Sequence, residues 1–203
     1  MKLLIATGNH HKFAEISAIL AVPHLSFISL RQLNGYPLVV EDGNSFETNA
    51  IKKAVILARF SNMWTLADDS GLEVDALHGD PGVYSARYAG EPADDSANNR
   101  KVVAAMAGVL DRKARFRCAI ALSDPNGVFR VVSGVCEGRL LSAVQGAGGF
   151  GYDPLFVPRG YEQTFAELPA GIKNKISHRA CALRAAITAW HDCLIQELPT
   201  WPA

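Results

Sequence analysis

The sequence predicts an α/β fold, a mixed β-sheet with helices packed on it. Three observations point there. Apolar strand patterns alternate with amphipathic helix patterns through the first half of the chain. Two later strand patterns are joined by Asp124-Pro125-Asn126-Gly127, a strong turn signal for a hairpin. Finally, 49% of the 203 residues are hydrophobic and 20% charged, the balance of a globular chain that can bury its core without disulfide or metal staples. The length suits a single domain over residues 1–203, or two lobes sharing one core.

The elements follow in order. Residues 2–6 are a short apolar run that reads as a buried first strand and is too short for a signal-peptide core. Residues 9–20 place Phe13, Ile16 and Leu20 at spacings of three and four, the stripe of an amphipathic helix. Residues 25–30 are a second strand. Ser45 is an N-cap for a helix reaching residue 60, with Glu47 in the first turn, where a carboxylate suits the helix dipole. Residues 64–68 are a strand closed by acids, and 72–77 a further short strand. Residues 93–110 are helical, capped by Asp94 or Asp95. Residues 115–123 and 128–137 are the two hairpin strands. Ser177 caps a last helix whose buried stripe is Leu183, Ile187, Trp190 and Leu194.

Composition narrows the function. Twenty basic residues balance twenty acidic ones, which argues against nucleic-acid binding, since that needs a basic surface. A small anionic ligand needs only local positive charge and stays open. No apolar run approaches the ~20 residues that span a bilayer, so the sequence is read as cytoplasmic, with no membrane partner. Cys118, Cys136, Cys181 and Cys193 form no Cys-x-x-Cys pair and no zinc spacing, and are read as small buried thiols.

Four segments carry chemistry. Thr7-Gly8-Asn9-His10-His11-Lys12 lies where a strand turns into a helix, so free N–H groups and the helix dipole favour an anion, and Lys12 adds a point charge. Glu41-Asp42 and Asp68-Asp69-Ser70-Gly71 form an acidic set. Adjacent carboxylates repel unless a cation sits with them, and hard oxygen ligands select Mg²⁺, or Mn²⁺, over zinc. One carboxylate could also take a proton from an attacking water. The third segment, residues 146–154, is glycine-rich: it lets backbone approach a ligand, offers Phe150 or Tyr152 to stack on a planar base, and offers Asp153 as an acceptor. Last come Lys173 and Ser177-His178-Arg179, where cations in a helix's first turn oppose its dipole and a ligand's acceptor oxygens would offset the cost. The adjacent His10 and His11 point to different helix faces and suit a surface better than a metal.

Together these segments resemble the inosine triphosphate pyrophosphatase family, also called dITP/XTP pyrophosphatases. The matching stretches are residues 7–15, 46–54, 67–72, 81–88, 148–154 and 177–179, in family order along nearly the whole chain. The resemblance implies an elongated mixed sheet with two lobes around a central substrate cleft, a homodimer, and Mg²⁺-dependent cleavage between the α and β phosphates of a purine nucleoside triphosphate. It implies that Thr7, Gly8, Asn9, His10, His11, Lys12 and Lys173 hold the triphosphate. Glu41 and Asp69, with Asp68 as a further ligand, would hold the metal; Asp69 would be the catalytic proton acceptor. Ser70 would contact substrate, and Phe150, Gly151, Tyr152, Asp153, His178 and Arg179 would hold the base. Inosine and xanthine present a 6-oxo acceptor that Arg179 or His178 could bond, where adenine presents an amino donor. Thr48 stands where many members carry an acid, and the tail 198–203 matches no family pattern. Two rivals remain at this point: a pyrophosphatase for another modified nucleotide, and a non-catalytic nucleotide sensor.

Overall fold

The computed structural model describes residues 2–21 and 25–191. Six strands, β1 (Lys2–Ile5), β2 (Ser26–Ser29), β3 (Thr65–Val74), β4 (Lys113–Ser123), β5 (Phe129–Leu140) and β6 (Phe156–Pro158), form one sheet in the order β2-β1-β3-β4-β5-β6. β1 pairs parallel with β2 and β3, while β5 pairs antiparallel with β6, so the sheet is mixed as predicted. The helices are α1 (His10–Ile19), α2 (Phe46–Ser61), α3 (Asp95–Ala105), α4 (Ala170–Ile176) and α5 (His178–Ala189). No described helix is long and apolar enough to cross a membrane.

By its contacts the chain divides into two compact units. The first comprises the described residues of Met1–Asp69, Ala119–Gly134 and Arg179–Ala203; the second is Ser70–Cys118 and Val135–His178. In the first unit, Leu3, Leu4 and Ile5 are wholly buried, because β1 is an interior parallel strand and needs apolar side chains on both faces. Ile16 and Leu20 bury the α1 stripe; Leu183 and Trp190 do the same for α5, while Leu194 lies outside the described residues. Ser45 caps α2 by accepting from the Thr48 N–H, and the Ser45 and Thr48 hydroxyls lie 2.8 Å apart, so Thr48 serves the cap. In the second unit the core gathers Leu72, Val102, Met106, Phe116, Phe156 and Phe165, with Phe116 4.7 Å from Phe156 between ring centroids. Cys118 and Cys136 are buried and Cys181 is half-buried; Cys193 and the tail 198–203 lie outside the described residues.

Several boundaries differ from expectation. The strands expected at 64–68 and 72–77 are one strand, β3, that runs straight through the acids, and residues Asp75–Leu77 form a 3-10 turn. Acids are disfavoured in strands, but here both have partners, supplied from the two sides of β3. Helix α3 starts behind its Asp94 cap as expected but ends at Ala105. β6 and α4, of three and seven residues, are too short to show periodicity and were not foreseen.

Candidate active site

Asp68 and Asp69 are neighbours on β3, and successive strand residues face opposite ways. That alternation gives them different surroundings. Asp68 meets α1 and α5. Its Oδ2 is 3.1 Å from the Lys12 ammonium and accepts from the Arg179 guanidinium at 2.8 and 3.3 Å. Arg179 also donates to Glu15 on α1. Arg179 is the largest fully buried side chain among the described residues, and two carboxylates offset the desolvation of its charge. Burial alone would raise the Asp68 pKa, but Lys12, Arg179 and Lys53 outweigh it and hold the carboxyl far below the ordinary range. For Lys12 burial and Arg179 oppose the charge, and Asp68 and Asp69 together outweigh them, so its pKa is raised.

Asp69 meets α2 instead. Its Oδ2 accepts from Asn49 Nδ2 at 3.0 Å, and its Oδ1 is 3.9 Å from the Lys53 ammonium. Lys53 also reaches Glu41 at 3.1 Å and donates to the Asp68 carbonyl at 2.6 Å. Burial is the largest influence on Asp69. Lys53 and Lys12 lower its pKa, Glu41 raises it, and the net result is a carboxyl pushed up to about 6. Asn49 and Lys53 lie one helical turn apart, so both point to this face of α2. The Asn49 Oδ1 accepts from the Gly43 N–H at 2.8 Å, tying the loop that carries Glu41 to the helix. A Cβ at Gly43 would sit 2.6 Å from that same Oδ1, so the close approach requires glycine.

A metal is testable against this donor set. Among the described residues, no three His, Cys, Asp or Glu side chains gather as a metal cluster. Glu41 and Asp69 do share one cation, Lys53, and Asp69 is hard to ionise where it lies. Two carboxylates of this kind fit Mg²⁺, which keeps waters and shares phosphate oxygens, and do not fit an all-protein zinc cage. Asp68 was expected as a further ligand; its carboxylate is instead enclosed by Arg179 and Lys12, with 0% side-chain exposure.

The turn before α1 differs in detail from expectation. Asn9 is the N-cap, and its Oδ1 accepts from the His11 and Lys12 N–H groups at 2.9 and 3.2 Å. Two donors foreseen for an anion are therefore used internally. Thr7 Oγ1 accepts from the Asn9 N–H, and His10 and His11 are exposed.

The second unit holds the glycine-rich segment. Asp153 Oδ2 accepts from the Phe150 N–H at 2.9 Å and from the Lys173 ammonium, which lies 4.6 Å from the Phe150 ring centroid. A Cβ at Gly149 would fall 2.1 Å from that carboxylate, and φ there is +70°, so glycine is required twice over. Phe150 is half-buried. Tyr152, offered by the sequence as a stacking ring, is a core residue: its hydroxyl donates to the Ser85 carbonyl at 2.8 Å, and burial raises its pKa. Lys173, expected on the phosphates, is committed to Asp153. His178 stacks on Phe116 at 4.7 Å and is 5% exposed. Ser70 is half-buried on β3 just after Asp69. Arg179, expected on the base, belongs to the first unit and to Asp68. Glu15, Asn49 and Lys53 were missed as site residues; the signal for the last two was a pair of polar residues at helical spacing on the apolar face of α2.

Comparison with known proteins bears on this site. The model of the Ham1 family matches residues 3–189. A dITP/XTP pyrophosphatase of Desulforamulus reducens is 52% identical over 189 residues, covering 92% of this chain and 94% of that protein. One from Geobacter sulfurreducens is 49% identical over 184 residues, covering 90% and 92%. Among solved structures, a HAM1 protein from Coxiella burnetii has a TM-score of 0.86 at 38% identity, covering 95% of this chain and all, 100%, of that one. A nucleoside-triphosphatase / dITP/XTP pyrophosphatase from Mycobacterium abscessus has a TM-score of 0.73 at 43% identity, with coverage of 91% and 97%.

Proposed function

Because the chain belongs to the Ham1 family, we propose that it hydrolyses deaminated purine nucleoside triphosphates (dITP, XTP and ITP) to the monophosphate and pyrophosphate, with Mg²⁺ or Mn²⁺ held by Glu41 and Asp69. The names of its relatives support the substrate class. The single observation that carries the chemistry is Asp69, a nearly buried carboxylate with its proton held to about 6, facing Glu41 across Lys53. A divalent ion bound there would neutralise phosphate charge and polarise the reacting phosphoryl group.

The chain's own residues then divide the work. Asp69 accepts the proton of the attacking water. Water bonds to the α-phosphorus, the α–β bridging bond breaks, and pyrophosphate leaves. In the metal-free site burial holds the Asp69 pKa at about 6; a divalent ion there would lower it, leaving the carboxylate ionised and able to accept a proton. The turn from Thr7 to Lys12 holds the triphosphate. Asp68, locked by Arg179, orients the Lys12 ammonium. In the second unit Phe150 supplies a face for the base, with the backbone around Gly151, with Asp153 and His178 for its polar edge, and with Ser70 beside the sugar-phosphate. Lys173 is assigned to fixing Asp153 and Phe150 rather than to the phosphates. The same reading carries a homodimer, which light scattering of the purified protein would check, and a cytoplasmic location, which cell fractionation would check.

Product analysis tests the proposal. With Mg²⁺, the protein should release pyrophosphate from dITP, XTP and ITP and leave ATP and GTP almost untouched, with activity lost in Asp69→Asn. Orthophosphate release, or equal use of ATP, would overturn it. Tight nucleotide binding without turnover would favour a sensor.

A further inference from the structure

Two residues of α3 that carry no assigned role hold the Phe150–Asp153 loop from outside. Asp95 and Asn99 are one helical turn apart and so share a face of α3. The Asp95 Oδ2 accepts from the Gly151 N–H at 2.7 Å, and Asn99 Nδ2 donates to the Gly151 carbonyl at 2.8 Å. Both backbone polar groups of Gly151 are thereby fixed by one helix. Gly151 has φ +60° and open space where a Cβ would stand, so its left-handed backbone, and not crowding, sets the need for glycine.

The Asn99 amide has one workable orientation. Its Nδ2 also donates to the Asp95 carbonyl at 2.7 Å, so both neighbours are acceptors, and its buried Oδ1 has no hydrogen-bond partner among the described residues. The helix is itself anchored. Asn98 accepts from the Ala89 N–H and donates to the Ala86 carbonyl, joining α3 to the 3-10 segment Gly82–Arg87 and the residues just after it. That segment also receives the Tyr152 hydroxyl at Ser85. Ser85 Oγ in turn donates to the Gly82 carbonyl and accepts from the Leu72 N–H. The loop is therefore gripped on both sides. Asp153 and Lys173 hold Phe150 from within, and Asp95 and Asn99 hold Gly151 from without.

We propose that Asp95 and Asn99 are positioning residues that preorganise the Phe150–Asp153 loop and thereby set discrimination between purine bases, without touching the base. The proposal rests on the assignment of that loop to base recognition made above. Binding through a preformed loop avoids the cost of ordering it, and that saving is specific to ligands that use the loop.

The test compares Asp95→Ala, Asp95→Asn, Asn99→Ala and Asn99→Asp with the wild type. Steady-state constants for dITP, XTP, dGTP and ATP are measured beside the competitive inhibition constant of inorganic tripolyphosphate, which has no base. Losing a hydrogen bond to this loop should raise KM for dITP and XTP by roughly tenfold, with kcat within about threefold. Preference over dGTP and ATP should narrow, and tripolyphosphate inhibition should stay constant. Asp95→Asn keeps an acceptor for the Gly151 N–H and should retain most of the wild-type preference. Asn99→Asp sets a carboxylate against two carbonyls and should be the most damaging. Asp95 is exposed, so its variants report even if buried Asn99 variants fold poorly. Equal losses on all four nucleotides, or a tripolyphosphate constant that moves with the dITP KM, would overturn the positioning role while leaving the pyrophosphatase reading intact. A wild type without preference for dITP and XTP would overturn both.

Discussion

Asp69→Asn should stabilise the metal-free protein while abolishing its turnover. Asparagine is an uncharged mimic of protonated aspartate and can keep the Asn49 hydrogen bond. Burial pushes the folded-state pKa of Asp69 to about 6, against an ordinary value of 3.8. The favourable contribution of the protonated acid is complete below about pH 4 and is lost as the pH rises through about 6. A gap of about two pH units corresponds to roughly 3 kcal/mol. The side chain is 9% exposed, so solvent screening removes little of that. For a chain of this size the equivalent shift in Tm is about 6–12 °C.

Thermal unfolding in a chelator, from pH 4.5 to 8, measures this directly. The variant should lead by several degrees at pH 8, and its lead should shrink steadily toward pH 4.5. Mg²⁺ should raise the wild-type Tm and leave the variant nearly unmoved, because a cation then stands in for the proton. A variant no more stable than the wild type at pH 8, or a difference that grows on acidification, would refute the electrostatic account. Glu41, Lys53, Lys12 and Asn49 surround this carboxylate, so the same titration should be repeated in Glu41→Gln, where the lead at pH 8 should be smaller.

Three further outcomes follow. Asp68→Asn should have the opposite sign, losing several kcal/mol at pH 7 because Lys12 and Arg179 lose their shared anion; the wild-type contribution is present above about pH 4 and is lost only in stronger acid, which a pH series of urea midpoints would show. Lys53→Met should cost about 3–5 kcal/mol by leaving Glu41 and Asp69 without their common cation; the loss should be smaller at pH 5 than at pH 8 and partly recovered by Mg²⁺ in thermal melts. Tyr152→Phe should cost only about 1 kcal/mol and narrow base preference less than Asp95→Ala in competition assays, because the hydroxyl bonds Ser85 and not the Gly151 backbone.

Much of the fold was legible because its signals are local. Ser45 and Asp94 announce helix starts through side-chain acceptors, and Asp124-Pro125-Asn126-Gly127 announces a reversal whatever the rest of the chain does. Asp68-Asp69-Ser70-Gly71 misled for the same reason: locally they look like the end of a strand, and the partners that accompany β3 through the acids, Lys12 and Arg179 at Asp68 and Asn49 and Lys53 at Asp69, are distant in sequence. The site was legible as a set of motifs, since each motif keeps its residue types together. Which partner each residue takes was not. Lys173 could serve a phosphate or Asp153, Tyr152 a base or the core, and Arg179 a base or Asp68. Each choice is made by tertiary packing.

The two adjacent acids show how one strand makes opposite chemistries from identical residues. Period-two alternation sends Asp68 toward α1 and α5, which bring Lys12 and the Arg179 guanidinium, and sends Asp69 toward α2, which brings an amide and one lysine, beside the competing charge of Glu41 on the preceding loop. The first environment over-compensates burial and the second under-compensates it. One carboxylate is therefore fixed as an anion that organises neighbouring cations. The other stays close to protonation and gains from any added positive charge. A shift of register by one residue in β3 would turn each acid to the opposite face and break both sets of contacts. The pairing of β1 with Thr65 and Leu66, just ahead of the acids, fixes that register, so the buried strand pairing of the first unit holds each aspartate on its own side of the sheet.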